Sequence, residues 1–488
     1  MSLNRRSLIK SGAAGAAFVA FSGCKSFEQQ FTHVPLNGTA FSDTGAKSVD
    51  PIHRLLSRLS FGVRPGDVEN VSRQGASAFI ESQLNPHAIA EDNILVWRIR
   101  PLNDVLQLDS GTLYDVDDRS IIGALTQAAL LRATYSKRQI YERMAAFWSD
   151  HFNIYAKKAY GSQLIVADQR DAIRPHALGN FGDLLKSVAH SSAMMGYLDA
   201  DVNRKGVPNE NYARELLELH TLGVNSGYTQ KDIQEVSRCL TGWTSEQHWH
   251  RGRFAFRSDW HDYGAKTVLG VNIPAGGGLS DGQKVLDIVA QHPATARHIA
   301  SKLCAHFTGE VPKQLCADVA TCFRDTKGDI KSLLRIILNS SHITSGPPVF
   351  KTPFEYLVSS FRATVTDTDA GKGVQPWLET MGEPLFGWAM PDGYPEKTSV
   401  WSSAILPRWN FVSSLVSQRI ANTTVKLDPI LDAGKLHGIS QNGALILAIT
   451  GHVPRSPQAE RLVSRLNVNG TAEQICGLLL MSPDFQWR

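Results

Sequence analysis

Apolar residues recur with the 3.6-residue period of an α-helix in one segment after another of this 488-residue chain. The first segment begins at Asp50-Pro51, where an acid suited to capping precedes a proline suited to the first helical turn. The same period predicts helices at Asp67–Leu84, Arg119–Thr134, Lys137–Ile154, Asp168–Leu178, Phe181–His190, Glu210–Leu222, Gln230–Leu240, Ser280–Ala290, Pro293–Phe307, Ile330–Leu338, Pro353–Ala363 and Gln458–Leu466. So many amphipathic segments predict a mainly α fold.

Two stretches interrupt the helical pattern. Between residues 243 and 278 aromatic residues, histidines and glycines accumulate, and Lys266-Thr267-Val268-Leu269 is the best candidate for a strand. A second irregular stretch, Gly382–Ser403, is rich in proline and carries Trp388, Tyr394 and Trp401. We therefore predict a large multi-helix domain with a short irregular or β-containing aromatic insertion around residues 243-278.

The beginning of the chain has the pattern of an export signal. Arg5-Arg6 precede a short apolar stretch, Gly12–Gly23, which is shorter than the roughly 20 residues that a membrane-spanning helix needs. The arginine pair, with Leu8 and Lys10 after it, resembles a twin-arginine signal for proteins exported in the folded state. An ordinary Sec signal with a chance arginine pair is the alternative.

Small residues before Cys24 resemble a bacterial lipobox, which predicts that residues 1–23 are removed and Cys24 is lipidated. Ordinary cleavage is the alternative, because Phe21 stands where the pattern usually has leucine. Lys25 favours the outer membrane over retention at the inner one. Residues 24–48 then form a flexible tether, and residues 49–488 a single large helical domain. The prediction is a periplasmic protein, exported through the twin-arginine pathway and held at a membrane by one lipid anchor.

Charge and cysteine content narrow the classes of partner. Lys plus Arg total 50 against 46 Asp plus Glu, and no long basic run occurs, so nucleic-acid binding is not expected. Besides Cys24 the chain has Cys239, Cys304, Cys316, Cys322 and Cys476. In an oxidising compartment we expect one or two disulfides among Cys304, Cys316 and Cys322, at least one free thiol, and a pairing that the sequence leaves open.

The densest polar segment, residues 203–243, predicts two helices joined by a tight connection. Asn209 is placed to cap the first helix, and Gly223 follows its last turn as a left-handed stop. Thr229 and Asp232 have the spacing of a capping box for the second helix.

Three carboxylates, Glu210, Glu215 and Glu218, fall on one side of the first of these helices together with Arg214, taking 100° per residue. Carboxylates with this spacing suit a hard cation or an acid/base pair. Alternatively they are locked in ion pairs, because Arg214 stands four residues from both Glu210 and Glu218.

Two histidine segments complete the candidates. His151 recurs with Met144 and Phe147 on the apolar stripe of its predicted helix, where it is either a ligand or a hydrogen-bonded core residue. His261-Asp262 precede Lys266 in a loop, which suits a site better than a core. The motifs of serine hydrolases, zinc peptidases and nucleotide-binding loops do not occur in the sequence.

The run from Pro208 to Gly223, Pro-Asn-Glu-Asn-Tyr-Ala-Arg-Glu-Leu-Leu-Glu-Leu-His-Thr-Leu-Gly, followed by Leu-Thr-Gly-Trp at 240–243, resembles the hallmark of a bacterial family called domain of unknown function 1800. Supporting matches lie at Arg54–Gly62, Phe147–Phe152, Tyr197-Leu-Asp199, His261-Asp262 with Lys266, and Trp401. The resemblance spans roughly residues 50 to 488.

This resemblance implies an exported, large and mainly helical protein whose activity is not established in the family. It also implies a possible neighbour, because members often occur beside an exported family similar to sulfatases and alkaline phosphatases. The chain departs from the pattern at Ser149, where many members have a second histidine, and at Tyr394, where they have tryptophan. The first departure weakens a metal role for the Phe147–Phe152 helix.

Two functions follow as hypotheses. The first is a periplasmic hydrolase or transferase, metal-assisted by a divalent ion, that acts on polysaccharide or cell-envelope material. Its predicted catalytic residues are Glu210, Glu215, Glu218 and Asp262, its substrate-binding residues Asn209, Asn211, Arg214, Trp243 and Lys266, and its metal ligands His151 and His261. The alternative is a non-catalytic helical scaffold, an accessory partner of a neighbouring sulfatase-like exported protein.

Overall fold

The computed structural model describes residues 49–158, 160–224, 226–246, 252–395, 397–452 and 470–488. The predicted signal peptide and lipobox at 1–23, Cys24, the tether at 24–48 and the predicted helix Gln458–Leu466 lie outside these residues. Residues Val49–Arg488 form one compact unit. Within the described part of the chain, the helices fall short of the length and apolar character needed to cross a membrane.

The first half of the chain is helical, as the periodicity predicts. Its helices are α1 Pro51–Leu59, α2 Asp67–Gln74, α3 Ala76–Gln83, α4 Asn93–Ile99, α5 Asn103–Leu106, α6 Ser110–Leu113, α7 Asp118–Tyr135, α8 Gln139–His151, α9 Gly161–Ala167, α10 Arg174–His176, α11 Phe181–Ala189, α12 Ser192–Tyr197, α13 Asn211–Glu215 and α14 Gln230–Cys239. The predicted helix at 67–84 is two helices, because Gly75 interrupts it with a φ of 87°.

The second half is also helical, and several of its helices were not predicted. Its helices are α15 Leu279–Ala290, α16 Pro293–Thr308, α17 Lys313–Asp325, α18 Ile330–Leu338, α19 His342–Ser345, α20 Pro353–Ala363, α21 Gln375–Met381, α22 Thr398–Trp401, α23 Ile405–Val416, α24 Asp428–Leu436, α25 Gln441–Thr450 and α26 Ala472–Met481. Helices make up 62% of the structure and strands 6%, which confirms the mainly α class.

Short antiparallel hairpins form within the predicted insertion. In the first, β1 Trp243–Ser245 pairs with β2 Phe254–Phe256, and in the second, β3 Lys266–Val268 pairs with β4 Val271–Ile273. A third pair, β5 Asp367–Thr368 with β6 Thr423–Thr424, ties distant segments together. The predicted β-containing insertion and its strand at Lys266 are therefore confirmed.

Local capping signals explain where several helices begin. The Asp50 carboxylate accepts hydrogen bonds from two backbone N–H groups of α1, and Pro51 occupies the first helical position. Thr229 and Asp232 form the predicted capping box of α14. α13 departs from prediction at both ends: Glu210, and not Asn209, occupies its N-cap position, and after Glu215 it continues as a π-helical segment, Leu216–His220. The rotation of 100° per residue that is assumed for an α-helix therefore does not apply beyond Glu215, because a π turn contains more residues than an α turn.

Two hydrophobic cores meet inside the unit. The larger core contains Met144 and Trp148 of α8 together with apolar side chains of α1, α11 and α14–α18. The smaller contains the end of α7, from Leu130 to Tyr135, and side chains of α20, α21 and α23–α26. Helix α8 packs along the boundary, because Ala146 on it contacts the smaller core.

The expected disulfides are not formed. Cys239, Cys304, Cys316, Cys322 and Cys476 are all free thiols. Cys304 on α16 and Cys316 on α17 share a thiol–thiol hydrogen bond, so they are neighbours without being bonded. Cys239 and Cys476 are fully buried in different cores, where burial raises the pKa of each thiol and makes it unreactive.

Replacing Gly282 by alanine should lower the free energy of unfolding by about 1–3 kcal/mol, the usual cost of overpacking a core. A Cβ at Gly282 would lie 2.3 Å from Cζ2 of the buried Trp243 ring. Gly196→Ala is the matched control, because its Cβ would enter open space within a helix. We expect it to leave stability unchanged or raise it by up to about 1 kcal/mol. Urea denaturation measures both, and equal effects would contradict the packing argument.

Candidate functional site

The asparagines of the central motif hold a backbone turn. Asn209 Nδ2 donates to the carbonyl oxygen of Asp199 at 3.1 Å, and Asn211 Nδ2 donates to that of Leu198 at 3.1 Å and to Asp199 Oδ2 at 3.2 Å. Asp199 has a φ of 57°, in the left-handed region that non-glycine residues rarely adopt. Lys158 pairs with the same carboxylate at 3.0 Å. The predicted substrate-binding pair Asn209 and Asn211 therefore supports this turn.

The carboxylates of the central motif are mostly engaged. Arg214 lies 3.4 Å from Glu210 Oε2 and 3.5 Å from Glu218 Oε1. Gln230 Nε2 also donates to Glu210 at 2.6 Å. Glu215 is half-buried, and burial, followed by the charge of Glu218, raises its pKa. At Glu210 and Glu218 the arrangement matches the alternative interpretation, in which Arg214 holds these carboxylates in ion pairs.

The second predicted histidine, His261, lies in a sealed polar cluster. Its Nδ1 lies 2.7 Å from the carbonyl oxygen of Thr241, and its Nε2 lies 3.3 Å from Asp281 Oδ2. Lys266 Nζ contacts the same Asp281 oxygen at 2.8 Å. The side chains of His261, Lys266 and Asp281 are all fully buried. This cluster closes the loop between the two hairpins and leaves His261 and Lys266 inaccessible to a substrate.

Asp262 and Trp243 also have structural partners. Arg238 binds both oxygens of Asp262, at 2.8 and 3.2 Å, and this hydrogen bond lowers the pKa of Asp262 to about 2. Trp243 is 1% exposed and stacks on His190 with ring centroids 4.9 Å apart. A tryptophan so deeply buried cannot stack on a sugar ring.

Of the predicted site residues that the structure describes, His151 is the one that lines the cavity along α8. Its Nε2 donates to the carbonyl oxygen of His220 at 3.2 Å, so its Nδ1 accepts from Lys302 Nζ at 3.1 Å. Burial, with the charge of Lys302, lowers the pKa of His151 well below its ordinary value, so the ring is neutral. Within the described ranges, no group of three or more His, Cys, Asp or Glu side chains is placed to hold a metal ion.

The cavity has a volume of about 330 Å³ and lies along α8, where the two cores meet. This size suits a small ligand or one unit of a larger one. Its polar wall comes from distant parts of the chain: Arg132, Glu142, Arg143, Ser149, Asp150, His151, Asn153, Gln169, Arg174, Lys302, His306, Thr352, Glu355, Glu383, Tyr394 and Arg488. Its apolar wall includes the rings of Phe61, Phe147, Phe350, Phe354 and Phe386.

The end of α8 fastens the second irregular stretch over this cavity. Asp150 Oδ1 accepts a hydrogen bond from the backbone N–H of Tyr394 at 2.7 Å. Gly393 permits this approach, because it has a φ of 77° and a Cβ there would lie 2.4 Å from the carbonyl oxygen of Asp150. Asn153 Nδ2 donates to two further carbonyl oxygens of the loop, at 3.0 and 2.7 Å. The Phe147–Phe152 motif thus positions Tyr394 at the cavity.

One wall of the cavity is a buried ion cluster around Glu355, near the start of α20. Arg143 NH2 and Arg488 Nε lie 3.0 and 2.9 Å from Glu355 Oε1. Arg143 also lies 3.1 Å from His306 Nε2. Burial alone would raise the pKa of Glu355, but the two guanidinium groups outweigh it and hold the pKa well below its usual range. Glu355 is therefore a permanent anion that both arginines share.

A second carboxyl on the wall, Glu383, has the opposite environment. It is 7% exposed, it forms no salt bridge with an arginine of the described residues, and it accepts a hydrogen bond from the backbone N–H of Phe354 at 2.7 Å. Burial raises its pKa to about 8, and the charges of Glu355 and Asp150 add to the shift. Glu383 is thus protonated at neutral pH, while Glu355 in the same cavity is ionised.

Sequence reasoning missed most of this site. Asp150 belongs to a motif that the sequence did single out, and Glu383 begins the second irregular stretch, but nothing in the pattern joined them. Lys302 and His306 lie on an ordinary amphipathic helix, α16, and Glu355 reads as the acid of a capping box. The lining of this cavity contains none of the described residues of the central motif, although the carbonyl oxygen of His220 accepts a hydrogen bond from His151 on its wall.

Comparison with known proteins gives one match. Neither the curated proteins nor the solved structures contain a match to this chain. The model of one family, described as a protein of unknown function (DUF1800), matches residues 54–487. That range includes the central motif and every segment that lines the cavity except Arg488. The chain therefore belongs to the DUF1800 family.

Proposed function

We propose that the cavity is the active site of a hydrolase or transferase in which Glu383 donates a proton to the leaving group. The observation that carries the proposal is a buried carboxyl, with a pKa raised to about 8, on the wall of a 330 Å³ cavity. Strongly perturbed carboxyls in clefts are typical of functional sites. A carboxyl that is protonated near neutral pH suits general acid catalysis, which is most efficient when the pKa lies close to the working pH.

Asp150 is the second carboxylate of the proposed site. Its charge raises the pKa of Glu383, and its hydrogen bond to the Tyr394 N–H fixes its position. Carboxyl groups whose environments separate their pKa values divide acid and base roles in many enzymes. Asp150 is thus placed to stabilise positive charge that develops on the reacting substrate, or to accept a proton from it.

The proposed substrate is polysaccharide or other cell-envelope material. The rings of Phe147, Phe354 and Tyr394 on the cavity wall provide apolar faces for a sugar ring. The leader supports the same compartment, since it carries the pattern for twin-arginine export and for lipidation at Cys24. We propose that the protein works in the periplasm, anchored at the outer membrane.

To test the proposal, the purified mature protein is incubated with isolated envelope polysaccharides, and the reducing ends that are released are measured. We expect cleavage by the native protein and a loss of at least about 100-fold for Asp150→Asn, the lower range for groups that assist proton transfer. Asp392→Asn is the matched control, because Asp392 is an exposed residue of the loop to which Asp150 is hydrogen-bonded. Equal rates for both variants would remove Asp150 from the mechanism, and no product from any envelope polymer would contradict the proposal.

The central motif supports a second function, the non-catalytic scaffold. Glu210, Arg214 and Gln230 are linked to one another, and Asn209 is bonded to the turn at Asp199, as expected of a structural cluster. The proposed partner is the sulfatase-like exported protein of the neighbouring gene. Size-exclusion chromatography of the two purified proteins tests it. A stable complex, with no polysaccharide cleavage, would favour the scaffold.

A further inference from the structure

The charges on the cavity wall do not balance. Among the residues that the structure describes, five cationic side chains line it: Arg132, Arg143, Arg174, Lys302 and Arg488. The same part of the chain contributes four carboxyls: Glu142, Asp150, Glu355 and Glu383. Since Glu383 has a pKa of about 8, it adds no negative charge to the wall at neutral pH. The wall therefore has an excess of positive charge.

Most of these charges are already paired. Arg174 binds both oxygens of Glu142, at 2.7 and 2.9 Å. Arg143 and Arg488 share Glu355, at 3.0 and 2.9 Å. Each of these three arginines therefore already has a carboxylate partner within the protein.

Lys302 and Arg132 are the exceptions. Neither forms a salt bridge within the part of the chain that the structure describes. Among the described residues, the one hydrogen-bond partner of Lys302 Nζ is His151 Nδ1, at 3.1 Å. Because His151 donates its Nε2–H to a backbone carbonyl oxygen, its ring is neutral and adds no negative charge. An ammonium has three donors, so Lys302 retains donors beyond the one given to His151.

A half-buried cation without a counter-ion is costly, and an anionic ligand relieves that cost. We infer that the cavity binds an oxyanion group of its ligand, a phosphate, sulfate or carboxylate, at the Lys302 ammonium. Arg132 adds a second unpaired positive charge to the same wall. The inference rests on the proposed function and narrows its substrate to anionic sugar polymers.

Calorimetric titration of the mature protein with sodium phosphate, sodium sulfate, sodium glucuronate and neutral glucose, at constant ionic strength, tests the inference. We expect saturable binding of at least one oxyanion, and binding at least about tenfold weaker in Lys302→Met, the typical effect of removing a charge-assisted hydrogen bond. Lys284→Met is the matched control, because Lys284 on α15 is exposed. The oxyanion that binds identifies the charged group that the sugar polymer carries.

The outcomes separate this inference from the proposed function. Binding needs no turnover, so Glu383→Gln should retain oxyanion affinity while losing activity. If Lys302→Met does not fold, two other variants replace it. Lys302→Arg keeps the positive charge, so its oxyanion affinity should stay within a few-fold of the native value. Lys302→Gln removes the charge and should lose the oxyanion affinity. Oxyanion binding that is equal in Lys302→Gln and native protein overturns the inference. So does cleavage of neutral polysaccharide with no oxyanion binding, which would leave the proposed function standing.

Discussion

Replacing Glu355 by alanine lowers the free energy of unfolding by about 3–5 kcal/mol, the range measured when one member of a buried ion pair is removed. Glu355 is 6% exposed, and it is the carboxylate that Arg143 and Arg488 share. Its loss leaves two buried guanidinium groups facing each other without a counter-ion. Repulsion between them adds to the cost of burying each one.

Urea denaturation at pH 7 measures this loss, with Glu81→Ala as control. Glu81 pairs with Arg335 at 2.6 Å, but both side chains are almost half exposed, so we expect about 1 kcal/mol or less. If Glu355→Ala does not fold, Glu355→Gln keeps the shape and one acceptor and should show a smaller loss. Similar losses of unfolding free energy in Glu81→Ala and Glu355→Ala would mean that burial does not strengthen the ion cluster around Glu355.

Replacing Glu383 by glutamine should lower the rate of polysaccharide cleavage by about 10²–10⁴-fold, the usual contribution of a general acid. Glutamine has nearly the same shape and still accepts the N–H of Phe354, so the cavity should keep its form. Glu379→Gln is the control, because Glu379 is exposed on the neighbouring helix α21. Retained cleavage by Glu383→Gln would exclude proton donation by this carboxyl.

The same substitution has a readout that does not depend on a substrate. The folded protein holds the Glu383 proton up to about pH 8, whereas the unfolded chain releases it near the ordinary 4.5. Between these two pH values the folded state binds one proton more than the unfolded state, so the free energy of unfolding falls as the pH rises. The contribution of Glu383 to stability is therefore complete below pH 4.5 and is lost as the pH approaches 8. Glu383→Gln removes this dependence.

We therefore expect Glu383→Gln to match the native protein near pH 4.5 and to exceed its stability by roughly 2–4 kcal/mol at pH 8. The titratable and charged groups around Glu383 are Asp150, Glu355, Tyr394 and Arg408. They are present in both proteins, so the difference between the two isolates Glu383. Parallel stability curves from pH 4.5 to 8 would show that Glu383 is ionised in the folded protein and would remove the basis of the proposed function.

The sequence predicted features that depend on neighbours along the chain. Asp50 and Pro51 begin α1, and Thr229 with Asp232 begin α14, because a capping group and the backbone it binds lie within three residues of each other. The strand at Lys266 followed from a short run of β-favouring residues between turn signals. Glu210 and Glu218 each stand four residues from Arg214, and their ion pairs with it followed from that spacing.

The candidate site could not be predicted in this way. His261 and Lys266 look like loop residues in sequence, but both are buried against Asp281, a helical residue 20 positions beyond His261 and 15 beyond Lys266. The carboxyls Glu355 and Glu383 look alike in sequence, yet arginines from residues 143 and 488 keep one ionised while burial keeps the other protonated.

The amino-acid sequence by itself determined the helical class, the caps of α1 and α14 and the family, since these rest on residue periodicity and on short motifs. The tertiary structure decided where the cavity lies and which charges remain unpaired on its wall. Desolvation and ion pairing depend on which distant segments come within a few ångströms of one another, and local patterns in a chain carry little information about that distance.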